Sequence, residues 1–113
     1  MHEMALCEGL LQSLEDQAQS QGFAKVHAVW LEIGALATVE PDALRFNFDI
    51  VMHGTLADSA TLEIAEVDGH AWCMQCSTNV PVKRHGEGCP QCGSYQLQIL
   101  DGQQIRIKQL EVA

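Results

Sequence analysis

The chain has 113 residues, of which 47% are hydrophobic, and its formal net charge is −9. A chain of this length buries one modest core, with room for a small second module. It contains only six Lys and Arg residues, which argues against nucleic-acid binding because phosphate backbones are bound by clustered cations. It also lacks an apolar run of the length that a membrane-spanning helix needs.

The N-terminal composition and the cysteines together predict a cytoplasmic protein that binds a metal. Residues 1–20 contain four acidic residues and no Lys or Arg, which is unlike a secretory signal. In the reducing cytoplasm, cysteines seldom form disulfides. Four of the five cysteines lie in two C-x-x-C pairs, and such pairs are typical of a metal site.

The first 34 residues predict a helix followed by a strand. Apolar residues recur at steps of three and four from Glu3 until about Gly22, as on one face of a helix. These residues are Cys7, Leu10, Leu11, Leu14 and Ala18. Cys7 is interpreted as a small core residue. Residues 26–33 are rich in β-branched and aromatic side chains, so they predict a strand that ends at Gly34.

A second helix and a second strand are predicted before residue 70. Pro41, between Glu40 and Asp42, marks a helix start, because proline suits the first turn and acidic residues favour that end of the helix dipole. Leu44, Phe48 and Val51 follow at helical spacing. Residues 61–67 alternate between polar and apolar side chains, which predicts a strand.

Residues 70–93 are rich in glycine and cysteine and poor in large apolar residues, so this stretch is predicted to need a metal to fold. The candidate ligands are Cys73, Cys76, Cys89 and Cys92. Four thiolates complete a tetrahedron around zinc and leave no open position, which indicates a structural site. Iron bound by the same sulfurs and a redox-active cysteine pair are the alternatives. His70 and His85 are candidates for exchange with a cysteine ligand.

The last twenty residues predict two strands. Residues 95–99 and 105–108 alternate on either side of Asp101 and Gly102, a dipeptide that favours a tight hairpin turn. The final strand, which extends to Val112, is long enough to return to the first sheet.

The chain begins Met1-His2-Glu3, which is a second candidate metal site. The α-amine, the amide nitrogen of His2 and its imidazole can form fused chelate rings around one ion. Ni(II) and Cu(II) accept such a flat set of nitrogen donors, and Glu3 can add a further donor. A motif this short is often incidental.

These features resemble the HypA/HybF hydrogenase maturation factors, a family of nickel metallochaperones that help to insert nickel into [NiFe] hydrogenase. The resemblance spans nearly the whole chain and rests on Met1-His2-Glu3, on the segment 29–34 (VWLEIG) followed by Glu40, and on the four paired cysteines. It implies Ni(II) as transient cargo bound by His2 and Glu3. It also implies structural Zn(II) on Cys73, Cys76, Cys89 and Cys92.

The resemblance also implies an α+β fold, in which a small mixed sheet and two helices form a nickel-binding domain of residues 1–69 and 104–113. A zinc-ribbon-like module, residues 70–103, is then inserted into that domain. The implied partners are a nickel-binding maturation GTPase and the large subunit of [NiFe] hydrogenase, and some family members also serve urease. Part of the family has histidines beside the cysteine pairs, where this chain has Trp72, Ser77, Pro90 and Gly93.

The competing interpretation is a zinc-ribbon module that mediates protein interactions and has no nickel role. In that case the Met1-His2-Glu3 sequence is incidental. An enzyme is not predicted, because the chain contains no G-x-S-x-G, phosphate-loop or H-E-x-x-H motif.

Overall fold

The computed structural model describes residues 2–113, which form two helices and six strands. The elements in chain order are α1 (Glu3–Gln21), β1 (Val26–Gly34), α2 (Pro41–Met52), β2 (Thr61–Val67), β3 (Gly69–Cys73), β4 (Thr78–Val82), β5 (Leu97–Asp101) and β6 (Ile105–Val112). The strands build two three-stranded sheets, with orders β2-β1-β6 and β4-β3-β5. The predicted α+β class is therefore confirmed. Neither of these helices has both the length and the apolar character needed to cross a membrane.

Helix α1 begins and ends where the sequence predicts. Glu3 lies in its first turn, where a negative charge interacts favourably with the helix dipole. Gly22 adopts the left-handed conformation after its last residue, with a φ of 80°, and donates a hydrogen bond from its N–H to the Ala18 carbonyl at 2.9 Å. Cys7, Leu10 and Leu14 form its buried stripe.

Helix α2 is stabilised at its start by its own sequence. The Glu40 carboxylate accepts a hydrogen bond from the Ala43 N–H at 2.6 Å, and proline follows at the first helical position. The buried face consists of Leu44, Phe48 and Met52. The sequence pattern predicts Val51 on this face, but Val51 is only half-buried. Met52 is fully buried instead, because the buried residues of α2 recur every four positions.

The chain divides into two compact units, each assembled from segments that are distant in sequence. Unit 1 consists of Met1–Leu31, Val39–Ile64 and Ile107–Ala113, and unit 2 consists of Glu32–Thr38 and Ala65–Arg106. The functional division into residues 1–69 with 104–113 and residues 70–103 stays a prediction.

Helices α1 and α2 pack against each other within unit 1. Cys7 is fully buried, and its thiol donates a hydrogen bond to the Leu44 carbonyl at 3.6 Å. Burial, together with the nearby Glu3 charge, raises the pKa of the Cys7 thiol to about 11. The thiol therefore remains protonated at neutral pH, in agreement with its interpretation as a core residue.

Unit 2 is built on β3, which pairs antiparallel with β4 on one side and with β5 on the other. Its core is small and includes two of the paired cysteines. The buried residues are Leu36, Ala71, Cys73, Val80, Val82 and Cys89. The sequence pattern does not predict strands β3 and β4, because they lie in the glycine- and cysteine-rich stretch that indicates only a metal-dependent fold.

The predicted hairpin around Asp101 and Gly102 is wrong, because β5 and β6 belong to different sheets. Gly102 instead takes part in a close crossing of three chain segments, which we call the glycine junction and define by Gly34, Gly69 and Gly102. A Cβ atom on Gly102 would lie 2.7 Å from the Gly69 Cα, and a Cβ atom on Gly34 would overlap the Gly102 carbonyl. The Gly102 carbonyl accepts a hydrogen bond from the Leu36 N–H at 2.8 Å, so the segment bonds to a distant part of the chain.

Strand β6 returns to the first sheet as the sequence predicts. It lies beside β1, and Ala113 donates a hydrogen bond from its N–H to the Lys25 carbonyl at 2.9 Å. Ile107 and Leu110 are half-buried in this strand.

Truncation of residues 104–113 is therefore expected to destabilise unit 1. Loss of an entire strand with half-buried Ile107 and Leu110 should remove about 3 kcal/mol of stability, equivalent to a fall in Tm of roughly 12–24 °C for a unit of this size. Calorimetry of the truncated chain measures this fall. Amide exchange monitors the unfolding of residues 1–31 and 39–64 separately. If truncation leaves their transition unchanged, β6 is not part of the stable core of unit 1.

Candidate metal centre

The four paired cysteines converge, although they come from separate parts of unit 2. Cys73 ends β3, Cys76 lies in the turn before β4, and Cys89 and Cys92 lie between β4 and β5. Their four sulfur atoms are all within 4.8 Å of one another. Cys73 and Cys89 are buried, whereas Cys92 is exposed.

The sulfur positions fit a tetrahedral metal site. The Sγ atoms of Cys73 and Cys92 are 3.7 Å apart, and those of Cys76 and Cys89 are 3.9 Å apart. Sulfurs at the corners of a tetrahedron around zinc are about 3.8 Å apart, given a zinc–sulfur distance of about 2.3 Å. A redox site needs only one pair of sulfurs, whereas four converge here, so the arrangement favours metal binding over a cysteine redox pair.

The two cysteine pairs have the same backbone construction. Ser77 donates a hydrogen bond from its N–H to the Cys73 carbonyl at 2.8 Å, and Gly93 does the same to the Cys89 carbonyl at 2.8 Å. Both donors adopt the left-handed conformation, with φ values of 54° and 76°. The sequence indicated a turn at Gly93, but Ser77 gave no such signal because serine seldom adopts this conformation.

Backbone N–H groups also point at the first sulfur of each pair. Cys76 donates from its N–H to the Cys73 sulfur at 3.3 Å, and Gln91 donates to the Cys89 sulfur at 3.4 Å. Backbone hydrogen bonds from Cys92 and Gln91 lower the pKa of the Cys89 thiol to about 7. This cysteine therefore supplies a thiolate, the form that binds a metal, more readily than an ordinary thiol does.

The opposite shift occurs at Cys76. Hydrogen bonding with the Cys92 side chain, together with burial, raises the pKa of the Cys76 thiol to about 12. The Cys76 thiol therefore keeps its proton at neutral pH. Because a metal binds the thiolate form, this proton must leave on binding, and metal affinity is expected to fall as the pH falls.

The two histidines near the cysteines make other contacts. His85 Nε2 lies 2.9 Å from the Leu36 carbonyl oxygen, and His70 Nδ1 lies 2.9 Å from an Asp101 carboxylate oxygen. Over residues 2–113, the only group of potential ligands that converges is the set of four cysteines. The structure therefore does not bring His70 or His85 into the predicted centre.

The second candidate site lies at the start of α1. His2 is exposed and directly precedes the helix, with a φ of −84° and a ψ of 106°. Its carbonyl accepts a hydrogen bond from the Leu6 N–H at 3.1 Å, while its imidazole makes no capping bond to the described part of the helix. The predicted amine ligand belongs to Met1, which lies outside the described residues.

Glu3 connects this site to the start of α2. Its carboxylate accepts a hydrogen bond from the Glu40 N–H at 3.5 Å. The two residues are 37 positions apart, and no spacing rule in the sequence could have revealed the contact. The beginnings of both helices, each carrying an acidic side chain, thus lie close to each other, and His2 directly precedes one of them.

Comparisons with known proteins agree with this combination of fold and cysteine centre. A family model described as "Hydrogenase/urease nickel incorporation, metallochaperone" matches residues 1–112. The chain is 58% identical over 112 residues to hydrogenase maturation factor HypA from Acidithiobacillus ferrooxidans. It is 51% identical over 112 residues to the HypA protein of Azotobacter vinelandii. Each match covers 99% of both chains.

The same architecture occurs in a solved structure, the solution structure of the Ni metallochaperone HypA from Helicobacter pylori. Its TM-score is 0.70 at 22% identity, with 99% of this chain and 97% of that chain covered. The fold is thus that of a two-helix α+β protein with a zinc-ribbon-like cysteine module. The chain belongs to the HypA family of metallochaperones for hydrogenase and urease nickel incorporation.

Proposed function

We propose that the protein binds Ni(II) at its N-terminus and assists insertion of nickel into the large subunit of [NiFe] hydrogenase. Membership of the HypA family along the whole chain is the observation that carries this proposal. The His2 imidazole, the backbone nitrogens before and at His2, and Glu3 are the proposed donors. Such nitrogen-rich donor sets suit Ni(II).

The surroundings of His2 support a carrier rather than a permanent site. The imidazole is exposed and is not engaged in capping α1, so it can turn toward a metal without breaking the helix. An exposed site at the end of the chain can also approach an acceptor closely. Since protonated imidazole does not bind metal, acidification should promote release.

We assign structural Zn(II) to Cys73, Cys76, Cys89 and Cys92. The support is the tetrahedral spacing of their sulfurs. Four protein ligands leave no position for water or substrate, so such an ion stabilises the fold and takes no part in catalysis. We further propose that residues 1–69 and 104–113 form the nickel-binding domain and that residues 70–103 form the zinc module.

The proposed partners are a nickel-binding maturation GTPase, which works with the protein during delivery, and the hydrogenase large subunit, which receives the metal. The names of the curated relatives support a role in hydrogenase maturation. We place this activity in the cytoplasm, where free thiols persist for metal binding.

A nickel titration of the untagged protein tests the proposal. Replacement of His2 by alanine removes one proposed ligand and is expected to weaken nickel binding by more than roughly 100-fold, since even groups behind a metal ligand contribute 10- to 100-fold. His53→Ala is the matched control, because His53 is also an exposed histidine, with 85% of its side chain accessible. Calorimetry gives both affinities.

The competing interpretation is a zinc-ribbon interaction module without a nickel role. It predicts that His2→Ala and His53→Ala have the same small effect, and that outcome would contradict the nickel proposal. The cellular readout is hydrogenase activity, which should fall in a His2→Ala strain and recover with excess nickel if delivery is the defect.

A further inference from the structure

One face of α2 exposes large apolar side chains. Phe46 is 68% exposed and Ile50 is 51% exposed, and a separation of four residues places them side by side on the helix. The opposite face, which carries Leu44, Phe48 and Met52, is buried. The buried face already provides the contacts of α2 with the core of unit 1. Packing in that core therefore does not explain why Phe46 and Ile50 are apolar.

Polar residues extend this face in both directions along the helix. We call the set of Asp42, Phe46, Asp49, Ile50 and His53 the α2 surface, because all five are exposed and each lies three or four positions from another member on the same side of the helix. The last four border a shallow depression that is open to solvent. The α2 surface is therefore an apolar patch with a carboxylate on either side of Phe46.

The charges on the α2 surface indicate which kind of partner can bind there. Two of its five residues are acidic, Asp42 and Asp49, and the Asp58 carboxylate lies 3.8 Å from the His53 ring. Helix α2 carries a single Lys or Arg, Arg45, whose guanidinium donates a hydrogen bond to the Leu62 carbonyl. A second copy of this chain would bring the same carboxylates together and be repelled. A complementary partner instead places Lys and Arg around apolar side chains.

The α2 surface also starts close to the proposed nickel ligands. The Glu40 N–H, one residue before the helix, donates a hydrogen bond to the Glu3 carboxylate at 3.5 Å. At about 1.5 Å per residue, Phe46 lies only about 9 Å along the helix from Glu40. A protein seated on Phe46 thus lies within reach of a metal held at His2.

We propose that the α2 surface docks the protein with which nickel is exchanged, through a segment of that protein that is amphipathic and carries Lys and Arg beside its apolar face. The role of this partner in nickel exchange rests on the proposed function. The inference that α2 has a docking surface rests only on the exposure and charge of the helix. Recognition follows from burial of Phe46 and Ile50, and the carboxylates steer the approach.

The test measures binding of the full-length, zinc-loaded and nickel-free protein to two purified proteins, the hydrogenase large-subunit precursor and the nickel-binding maturation GTPase. Phe46→Ser with Ile50→Ser is expected to weaken at least one complex by about thirtyfold. Asp42→Asn with Asp49→Asn is expected to slow association and reduce its salt dependence. Tyr95→Ser is the matched control, since Tyr95 is 78% exposed outside the α2 surface.

Each outcome is decisive. Unchanged affinity of the folded Phe46→Ser, Ile50→Ser chain for both proteins overturns the inference, as does a wild-type chain that binds neither. Self-association that depends on Phe46 would assign the surface to a second copy instead. If the serine variant unfolds, Asp42→Lys with Asp49→Lys replaces it, because charge reversal on exposed positions should abolish binding without touching the core. Nickel titration of the wild-type chain does not involve the partner. It therefore shows whether the proposed function fails, independently of whether the docking surface is correct.

Discussion

Replacement of Cys73 by serine is expected to abolish zinc binding and to unfold unit 2. Two of the four proposed ligands, Cys73 and Cys89, are also members of its small buried core, so the metal and the core depend on each other. Structural zinc contributes about 10–16 kcal/mol of apparent binding free energy in small zinc-dependent folds. Amide exchange should therefore show loss of protection across Ala65–Arg106, while α1 and α2 keep theirs.

The fifth cysteine provides the control for this experiment. Cys7→Ala leaves the four clustered sulfurs intact, and it is expected to preserve zinc stoichiometry while it weakens the packing between α1 and α2. A strong chelator should reproduce the effect of Cys73→Ser. Uniform loss of protection in both units on chelation would refute independent stability of the helical unit, and no loss in either would show that the metal is dispensable.

Addition of two residues before Met1 is expected to weaken nickel binding almost as much as His2→Ala. The extension keeps the imidazole but converts the terminal amine into an amide, which is a poor donor while it holds its proton. Titration of the extended chain beside a chain extended after Ala113 isolates the effect of the amine. We expect the C-terminal extension to leave the nickel affinity unchanged.

Two alternative outcomes have distinct meanings. If the N-terminal extension is harmless but His2→Ala is not, the imidazole binds nickel without the amine and the proposed chelate rings are wrong. If both changes are without effect, the nickel assignment for the N-terminus must be abandoned.

The elements that the sequence predicts well are those whose signals are local. Helix α1 has an apolar stripe at regular spacing and a glycine at its end, and both features are confirmed. The start of α2 is likewise confirmed, because proline and acidic residues act on the turn in which they lie. The four cysteines could be grouped because a C-x-x-C turn already brings two sulfurs together.

The parts that escaped prediction depend on contacts between distant residues. The approach of Glu3 to Glu40 requires two helices to be placed in space. The allocation of β5 and β6 to separate sheets overrides the turn preference of Asp101 and Gly102, because that segment bonds to Leu36 instead. The left-handed conformation of Ser77 follows from the cysteine turn that it completes, and its residue type gives no hint of it.

The glycine junction bears on when the protein can fold during its synthesis. Gly34, Gly69 and Gly102 come from the beginning, middle and end of the segments that build unit 2, so their crossing forms only after the last of them has left the ribosome. Unit 1 waits still longer, since it includes Ile107–Ala113. We therefore expect unit 2 to complete its folding only once residue 106 has left the ribosome, and unit 1 only after Ile107–Ala113, with the nascent chain exposed to chaperones until then.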